Sequence, residues 1–215
     1  MTEGDRRPRA VAVAVQLPGV TDGELASSLA ELERLAKTLG LDVIARVTQR
    51  RAQLAPGIVL GEGKLVELAG WTGGTGIVPG YQKPGTKSDE EPATLPAPEH
   101  KADLVLVAPE LTPTQSRHLE VATGAEVLDR TSVILEIFHR HALSREAKLQ
   151  VEIARLAYEA PRLRESPKSK EKQAGRGAGE AALELDRRKI RDRIAELRRE
   201  LAAIQREQDV RRRHR

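Results

Sequence analysis

The sequence predicts an α/β fold: an open, mostly parallel sheet subdomain followed by an antiparallel two-helix coiled-coil arm. The sheet is indicated by short apolar runs that alternate with segments of helical period, with turn residues between them. The arm is indicated by two apolar heptad stripes on either side of a basic, glycine-bearing stretch. The stripes are Leu149/Ile153/Leu156/Ala160/Leu163 and Leu183/Ile190/Ile194/Leu197/Leu201/Ile204.

The first 47 residues read as a β-α-β unit. Residues 10–15 (AVAVAV) predict a buried strand that ends at Pro18-Gly19. Thr21 or Asp22 can cap the following helix, which keeps its apolar period until Gly40. Leu41–Val47 predicts a second strand. A strand, a helix and a strand in this order imply a right-handed crossover and parallel pairing.

The alternation continues to residue 142, with one interruption. We expect strands at 58–60, 103–108 and 126–128, and helices at 63–69, 113–123 and 131–142. Residues 70–101 hold so much glycine and proline that they predict a surface insertion. The predicted domains are therefore an α/β subdomain at 1–142, a helical hairpin at 143–210 with a basic loop at 164–179, and a basic tail at 211–215.

Composition excludes several classes of protein. The chain has 215 residues, no cysteine, no signal peptide and no apolar run long enough to span a bilayer. These features predict a soluble protein of a reducing compartment, the cytoplasm, with no membrane contact. Aromatic residues make up only 2% of the chain, which argues against base recognition by stacking on an aromatic sheet surface.

The net charge of +4 is distributed unevenly. Residues 1–161 carry 18 Lys/Arg against 22 Asp/Glu, residues 162–176 carry six against two, and residues 187–215 carry 12 against five. Positive charge concentrated in the predicted hairpin favours an oriented contact with nucleic acid. For Asp192, Glu196 and Glu200, the better interpretation is a solvated helix face with internal ion pairs between residues four apart.

One turn is a candidate anion or nucleotide contact. Gly61, Gly63 and Lys64 follow a predicted strand and open a helix, where free N–H groups can hold an anion. The need for glycine in a strand-to-helix turn explains the same residues without a ligand. Residues 80–88 have the glycines of a phosphate loop, but Thr86 displaces the lysine by one place. We find no paired catalytic groups, so we predict no enzyme chemistry, no metal site and no cofactor.

Short motifs occur in one order along nearly the whole chain outside the insertion. They are Val15-Gln-Leu-Pro-Gly19, Glu31-Leu-Glu33-Arg-Leu-Ala36, Arg46-Val-Thr-Gln-Arg50, Gly61-x-Gly63-Lys64, Glu110-Leu-x-Pro113-x-Gln115-x-Arg117-x-Leu119, Val127-Leu-Asp-Arg-Thr131, Ile134-Leu135-x-Ile137-Phe138, Lys148-Leu-Gln-Val-Glu152, Pro161-Arg162-Leu163 and Arg176-Gly177-x-Gly179-Glu180-x-x-Leu183-Glu184-x-Asp186-Arg187-Arg188. This order resembles the N-terminal region of the HflX family of ribosome-binding GTPases.

The resemblance implies a fold and a partner. Family members join an α/β subdomain to a two-helix arm, grip the large ribosomal subunit, and split stalled ribosomes. The loop between their arm helices approaches the peptidyl transferase centre. The resemblance therefore implies ribosomal RNA contacts in this chain by Arg162, Arg164, Lys168, Lys170, Lys172, Gly175, Arg176, Gly177 and Gly179.

The sequence also departs from the family pattern. After Arg215 there is no phosphate loop, switch or guanine-reading motif, so we expect no GTP hydrolysis by this chain. The loop is rich in lysine rather than glycine, and Ala178 stands where the family has proline. We expect a monomer that occupies the large subunit, whether for rescue, silencing or antibiotic protection under translation stress. The alternatives are a module that docks a separate GTPase or dimerises through the long helix, and a small-molecule-binding domain that uses the Gly61–Lys64 turn.

Overall fold

The computed structural model describes residues 6–54, 57–78, 101–163 and 176–213, with only the backbone described for 176–183. It divides into two compact units, residues 1–137 and 138–215. The first unit contains a parallel sheet with helices, and the second contains two long helices. This arrangement confirms the predicted α/β class and the long C-terminal helix.

The sheet has four parallel strands in the order β2-β1-β3-β4. Its strands are β1 (Arg9–Gln16), β2 (Asp42–Arg50), β3 (Leu104–Val107) and β4 (Glu126–Asp129). The alternating sequence of β1 places three valines on one face and three alanines on the other. Both faces are covered by apolar clusters, so β1 forms the centre of the core.

Four helices follow the strands, close to their predicted positions. They are α1 (Asp22–Thr38), α2 (Glu62–Thr72), α3 (Pro113–Thr123) and α4 (Arg130–His141). Thr21 caps α1: its hydroxyl accepts from the backbone N–H of Glu24, and the Glu24 carboxylate accepts from the backbone N–H of Thr21. The same reciprocal pair forms between Thr112 and Gln115 at the start of α3.

The predicted strand at 58–60 is wrong. Ile58, Val59 and Leu60 are buried in the core, but they pair with none of the described strands. The carbonyl oxygen of Val59 instead accepts a hydrogen bond from Nη1 of Arg51, at 3.1 Å. A short apolar run shows that residues are buried, but it does not show whether their backbone joins a sheet.

The predicted surface insertion at 70–101 is wrong for its first residues. Gly70–Thr72 form the last turn of α2, and residues 73–78 pack against the end of α3. The Thr72 hydroxyl donates to the carbonyl of Thr123 at 2.7 Å, and the Gly76 N–H donates to the carbonyl of Ala122 at 2.8 Å. The side chain of Val78 is buried. The remaining predicted insertion, residues 79–100, lies outside the described residues.

Gly74 is required where this segment crosses α3. A Cβ atom at Gly74 would lie 2.3 Å from the carbonyl carbon and oxygen of Thr123. Because those atoms belong to the backbone, neither partner can move aside without disturbing the contact. The packing of residues 73–78 therefore requires a residue without a side chain at position 74.

Gly74→Ala should lower the free energy of unfolding of the sheet unit by about 2–3 kcal/mol, because the added methyl overlaps the α3 backbone. Urea unfolding followed by the fluorescence of Trp71, the only tryptophan, measures the change. Gly70→Ala is the matched control, since its Cβ meets nothing within 4 Å and a helical alanine adds about 0.5 kcal/mol of stability. Equal unfolding midpoints for both variants would contradict this account of Gly74.

Candidate nucleic-acid interface

The second unit pairs two helices, α5 (Arg145–Glu159) and α6 (Arg176–Arg213). Nη2 of Arg145 lies 2.5 Å from Oε1 of Glu200, and Nη2 of Arg193 lies 3.0 Å from Oε1 of Glu152. Residue numbers rise along α5 while those of the partners on α6 fall. The two helices are therefore antiparallel, as the heptad stripes predict.

An apolar seam joins the helices. Leu197 on α6 is 0% exposed and Leu149 on α5 is 7% exposed. The other described stripe residues of α6 (Ile190, Ile194, Leu201 and Ile204) are half-buried. Since all five positions recur at spacings of three and four, one face of α6 packs on α5.

The first stripe ends earlier than predicted. Helix α5 stops at Glu159, and residues Ala160–Arg162 form a short 3-10 turn. Pro161 lacks the N–H group that would bond to the carbonyl of Ala157, so the α-helical hydrogen-bond series is interrupted there. Leu163 consequently lies beyond the helix rather than on its apolar face.

Arg162 is held against the end of α5. Its guanidinium carbon lies 3.4 Å from the centroid of the Tyr158 ring, and Nη1 donates to the Tyr158 carbonyl at 3.0 Å. A cation over an aromatic face is stabilised by the ring quadrupole. Arg162 therefore has a fixed orientation at the point where the chain enters the predicted basic loop.

The other predicted loop residues fall into two groups. Arg164, Lys168, Lys170, Lys172 and Gly175 lie outside the described residues. Arg176, Gly177 and Gly179 belong to the first turns of α6, whereas the sequence places them in a loop that extends to residue 179. The predicted tail is also shorter than expected, because α6 continues to Arg213. Isolated glycines weaken a helix pattern without ending it, which explains the difference.

Part of the charge on α6 is neutralised by ion pairs. Arg193 contacts Glu196 at 2.9 Å as well as Glu152, and hydrogen bonds to both carboxylates raise the pKa of its guanidinium. Lys189 pairs with Asp186 at 3.0 Å, and Arg191 pairs with Glu184 at 2.5 Å. Glu196 therefore pairs within α6, but with a residue three rather than four positions away, while Glu200 pairs with α5 instead.

Other arginines of α6 have no acidic partner among the described residues. Arg188 and Arg198 are exposed and form neither an ion pair nor a hydrogen bond within the described ranges. Nε of Arg199 donates to the carbonyl of Ala195, and Nε of Arg206 donates to the carbonyl of Ala202. A backbone carbonyl leaves the charge of an arginine in place, so these four side chains keep α6 basic.

The glycine turn at the start of α2 is occupied by contacts within the chain. The Gly61 N–H donates to Oε1 of Gln49 at 2.8 Å, and Nζ of Lys64 lies 2.6 Å from Oε2 of Glu67. A Cβ at Gly63 would meet nothing within 4 Å. The anion contact at this turn stays a prediction. In the described part of the chain, no cluster of side chains could hold a metal ion and no helix is long and apolar enough to cross a membrane.

Comparisons with known proteins agree with this architecture. Residues 26–77 and 90–139 match the model of the GTP-binding GTPase N-terminal region, and residues 141–215 match that of the GTP-binding GTPase middle region. The chain is 53% identical to a GTPase HflX of Gluconacetobacter diazotrophicus over 95% of its length, and 33% identical to that of Escherichia coli over 92%. The chain belongs to the HflX family. Residues 78–89 fall between the two stretches that match the N-terminal model.

The family members are longer than this chain. It spans 48% of the Gluconacetobacter relative and 41% of the Escherichia relative. A GTP-binding protein of Sulfolobus solfataricus in complex with GDP has a similar structure, with a TM-score of 0.53 and 21% identity. That alignment covers 92% of this chain and 46% of the Sulfolobus chain, and it shows a shared fold.

Sequence reasoning missed two features of the helix pair. The contact between Tyr158 and Arg162 was open to prediction, because residues four apart on a helix are neighbours. The distribution of charge around α6 was also readable once the helix was known to run without a break from Arg176 to Arg213. Counting charges segment by segment does not show how they are distributed around the helix axis, because both signs occur along α6.

Leu197→Ala should destabilise the helix pair by about 2–4 kcal/mol, because it removes the fully buried side chain of the seam. Thermal melting followed by far-ultraviolet circular dichroism should show earlier loss of helical signal. Leu185→Ala is the control on the same helix, where 52% of the side chain is exposed and little stability should be lost. A seam that does not hold the helices together would give the two variants the same melting curve.

Proposed function

We propose that this chain binds the large ribosomal subunit through ribosomal RNA contacts of the loop joining α5 and α6, close to the peptidyl transferase centre. The observation that carries the proposal is the antiparallel pairing of α5 with a basic α6. In the sequence, the basic segment 162–176 connects these two helices. Lysine and arginine supply the salt-sensitive attraction to phosphate that dominates nucleic-acid affinity.

The proposal treats the helix pair as a coiled-coil arm. Support comes from the heptad spacing, the buried seam at Leu149 and Leu197, and the flanking ion pairs between helices. An arm of this kind is stiffened where its two helices pair, as they do between Arg145 and Glu200 and between Glu152 and Arg193. Arg162, fixed on Tyr158, supplies an ordered cation where the arm helix ends. The proposal also includes the predicted domain boundaries, with the sheet subdomain ending at residue 142 and the helical hairpin ending at residue 210.

In this proposal, the chain does not hydrolyse GTP itself. It acts as a monomer in the cytoplasm. It spans less than half of the relatives that are named GTPases, and the matched stretch is their N-terminal and middle regions. In this proposal the paired helices provide binding. Occupation of the subunit is then controlled by affinity and salt rather than by a nucleotide cycle.

Replacing Lys168, Lys170 and Lys172 with glutamate should abolish co-sedimentation with large ribosomal subunits, because three positive charges that attract phosphate become three negative charges that repel it. Sedimentation of the full chain with purified subunits at rising salt measures the effect. The control variant reverses Arg34, Lys37 and Lys101, three exposed cations of the sheet unit, and should still bind. Failure of the unaltered chain to sediment with the subunits at low salt would end the proposal.

A second candidate function is docking of a separate GTPase protein. Leu143 is 90% exposed and Val210 is 54% exposed. Nε2 of Gln208 donates to Oε2 of Glu146 at 3.2 Å, so the end of α6 lies beside the start of α5. Two exposed apolar side chains at one end of the pair favour a protein contact there.

Leu143→Ser combined with Val210→Ser should weaken a complex with a purified GTPase domain from a curated relative, because apolar contact area is lost. Size-exclusion chromatography with light scattering reports the complex in the absence of RNA. The unaltered chain eluting as a monomer beside the free GTPase domain would exclude this candidate.

A further inference from the structure

The outer edge of β2 carries backbone groups that have no partner among the described residues. We propose that this edge binds an extended segment of another protein, which adds to the sheet as a further strand. We call it the β2 edge and define it as residues 46–50, on the side of β2 that faces away from β1. The inference concerns the sheet unit and goes beyond the proposed contact with ribosomal RNA.

The alternation of the backbone shows which groups the β2 edge presents. The Arg51 N–H donates to the carbonyl of Gln16 on β1, at 3.0 Å. Because successive residues of a strand direct their N–H and C=O groups to opposite sides, Arg46, Thr48 and Arg50 direct theirs away from β1. None of these groups has a hydrogen bond within the described ranges. An extended polypeptide offers donors and acceptors at the spacing that matches such a row.

The β2 edge is long for an unpaired strand edge. β2 has nine residues and no proline, whereas β4, at the other edge of the sheet, has four residues. Natural sheets protect an exposed edge with a short strand, a proline, a bulge or charged side chains. The irregularity in the pairing of β2 with β1 lies at residues 43–45, before the β2 edge. Charged side chains are therefore the protection that this edge has, in Arg46 and Arg50.

Both of these arginines are bonded to groups on the α1 side of the sheet. Nε and Nη2 of Arg46 donate to the two carboxylate oxygens of Glu33 on α1, at 2.5 and 2.7 Å. Nη2 of Arg50 donates to Oδ1 of Asp22 at 2.7 Å, and its Nε donates to Oε1 of Gln16 at 2.7 Å. These bonds hold the two guanidinium groups on one face of the sheet. The backbone between them stays open to an added strand.

The side chains next to the β2 edge indicate what the added strand carries. Ile44 and Ala45 are half-buried at the border of the apolar cluster that contains the leucines of α2. Apolar residues at alternate positions of an added strand share one face and can cover them. A cavity of about 330 Å³ lies beside the start of the edge, lined in part by Glu33, Lys37 and Val43. In strand addition, backbone bonds supply affinity and cavities for side chains supply specificity, so the expected segment is amphipathic.

A second copy of this chain fits the β2 edge less well than a different protein. A two-fold, antiparallel pairing of residues 46–50 is centred on Thr48 and sets Arg46 of one copy opposite Arg50 of the other. Like charges directly opposite each other on two strands are destabilising. We therefore assign the edge to a strand of a different protein.

The test compares Thr48→Pro with the unaltered full chain. Proline removes the outward N–H, and it is tolerated at an edge because the neighbouring residues make the bonds to β1. Thr48→Val is the matched control, since it changes the side chain and keeps the N–H. Linear peptides are selected from a displayed random library on the unaltered chain and then synthesised. Each should bind Thr48→Pro at least about tenfold more weakly than the unaltered chain or Thr48→Val.

Amide hydrogen exchange of the unaltered chain gives a second measurement, which needs no substitution. A bound peptide should slow exchange at Arg46, Thr48 and Arg50. Circular dichroism and urea unfolding verify that both variants keep the fold of the sheet unit.

Four results overturn the inference. Selection yields no peptide, or the selected peptides bind Thr48→Pro as tightly as the unaltered chain. Exchange at Arg46, Thr48 and Arg50 is already slow in the free chain, which assigns the edge to a segment of the chain itself. Light scattering shows a dimer that Thr48→Pro abolishes, which assigns it to a second copy. None of these results depends on whether the chain sediments with ribosomal subunits, so the two proposals fail separately.

Discussion

The burial of one apolar seam between α5 and α6 holds the helix pair together and determines which residues of the pair are exposed. A helix as long and as charged as α6 gains most of its stability from packing rather than from its own residues. Leu197 is enclosed by that packing, and ion pairs from Arg145 and Arg193 close over the seam at its edges. Packing on one face determines which of the remaining faces point to solvent.

The sheet unit depends on a different constraint, the two-sided burial of β1. Alanines on one face and valines on the other set how closely each helical layer approaches the sheet. The segment after α2 then fits only because Gly74 has no side chain where it crosses the Thr123 backbone. The glycine and proline content of residues 70–101 is typical of an unstructured insertion. Part of it is instead a close-packed crossing that composition cannot distinguish.

The arginines of the helix pair have two kinds of hydrogen-bond partner, carboxylates and backbone carbonyls. Carboxylates such as Glu152 and Glu200 neutralise arginines and link the two helices. Arg199 and Arg206 instead bond to carbonyls of their own helix, and a backbone carbonyl leaves the charge of an arginine in place. Ordered cations lose less side-chain entropy when they meet a phosphate. The same residue type therefore stabilises the fold on one side and remains available on the other.

Local sequence patterns were enough to determine the parallel α/β class, the capped start of α1, and the antiparallel helix pair. Each of these follows from spacing or from contacts between residues close in the chain, such as Thr21 with Glu24. Only the tertiary structure decided that residues 58–60 are buried without joining the sheet and that residues 73–78 pack against the end of α3. Those outcomes depend on which surfaces meet across long separations in sequence, and a local pattern does not contain that information.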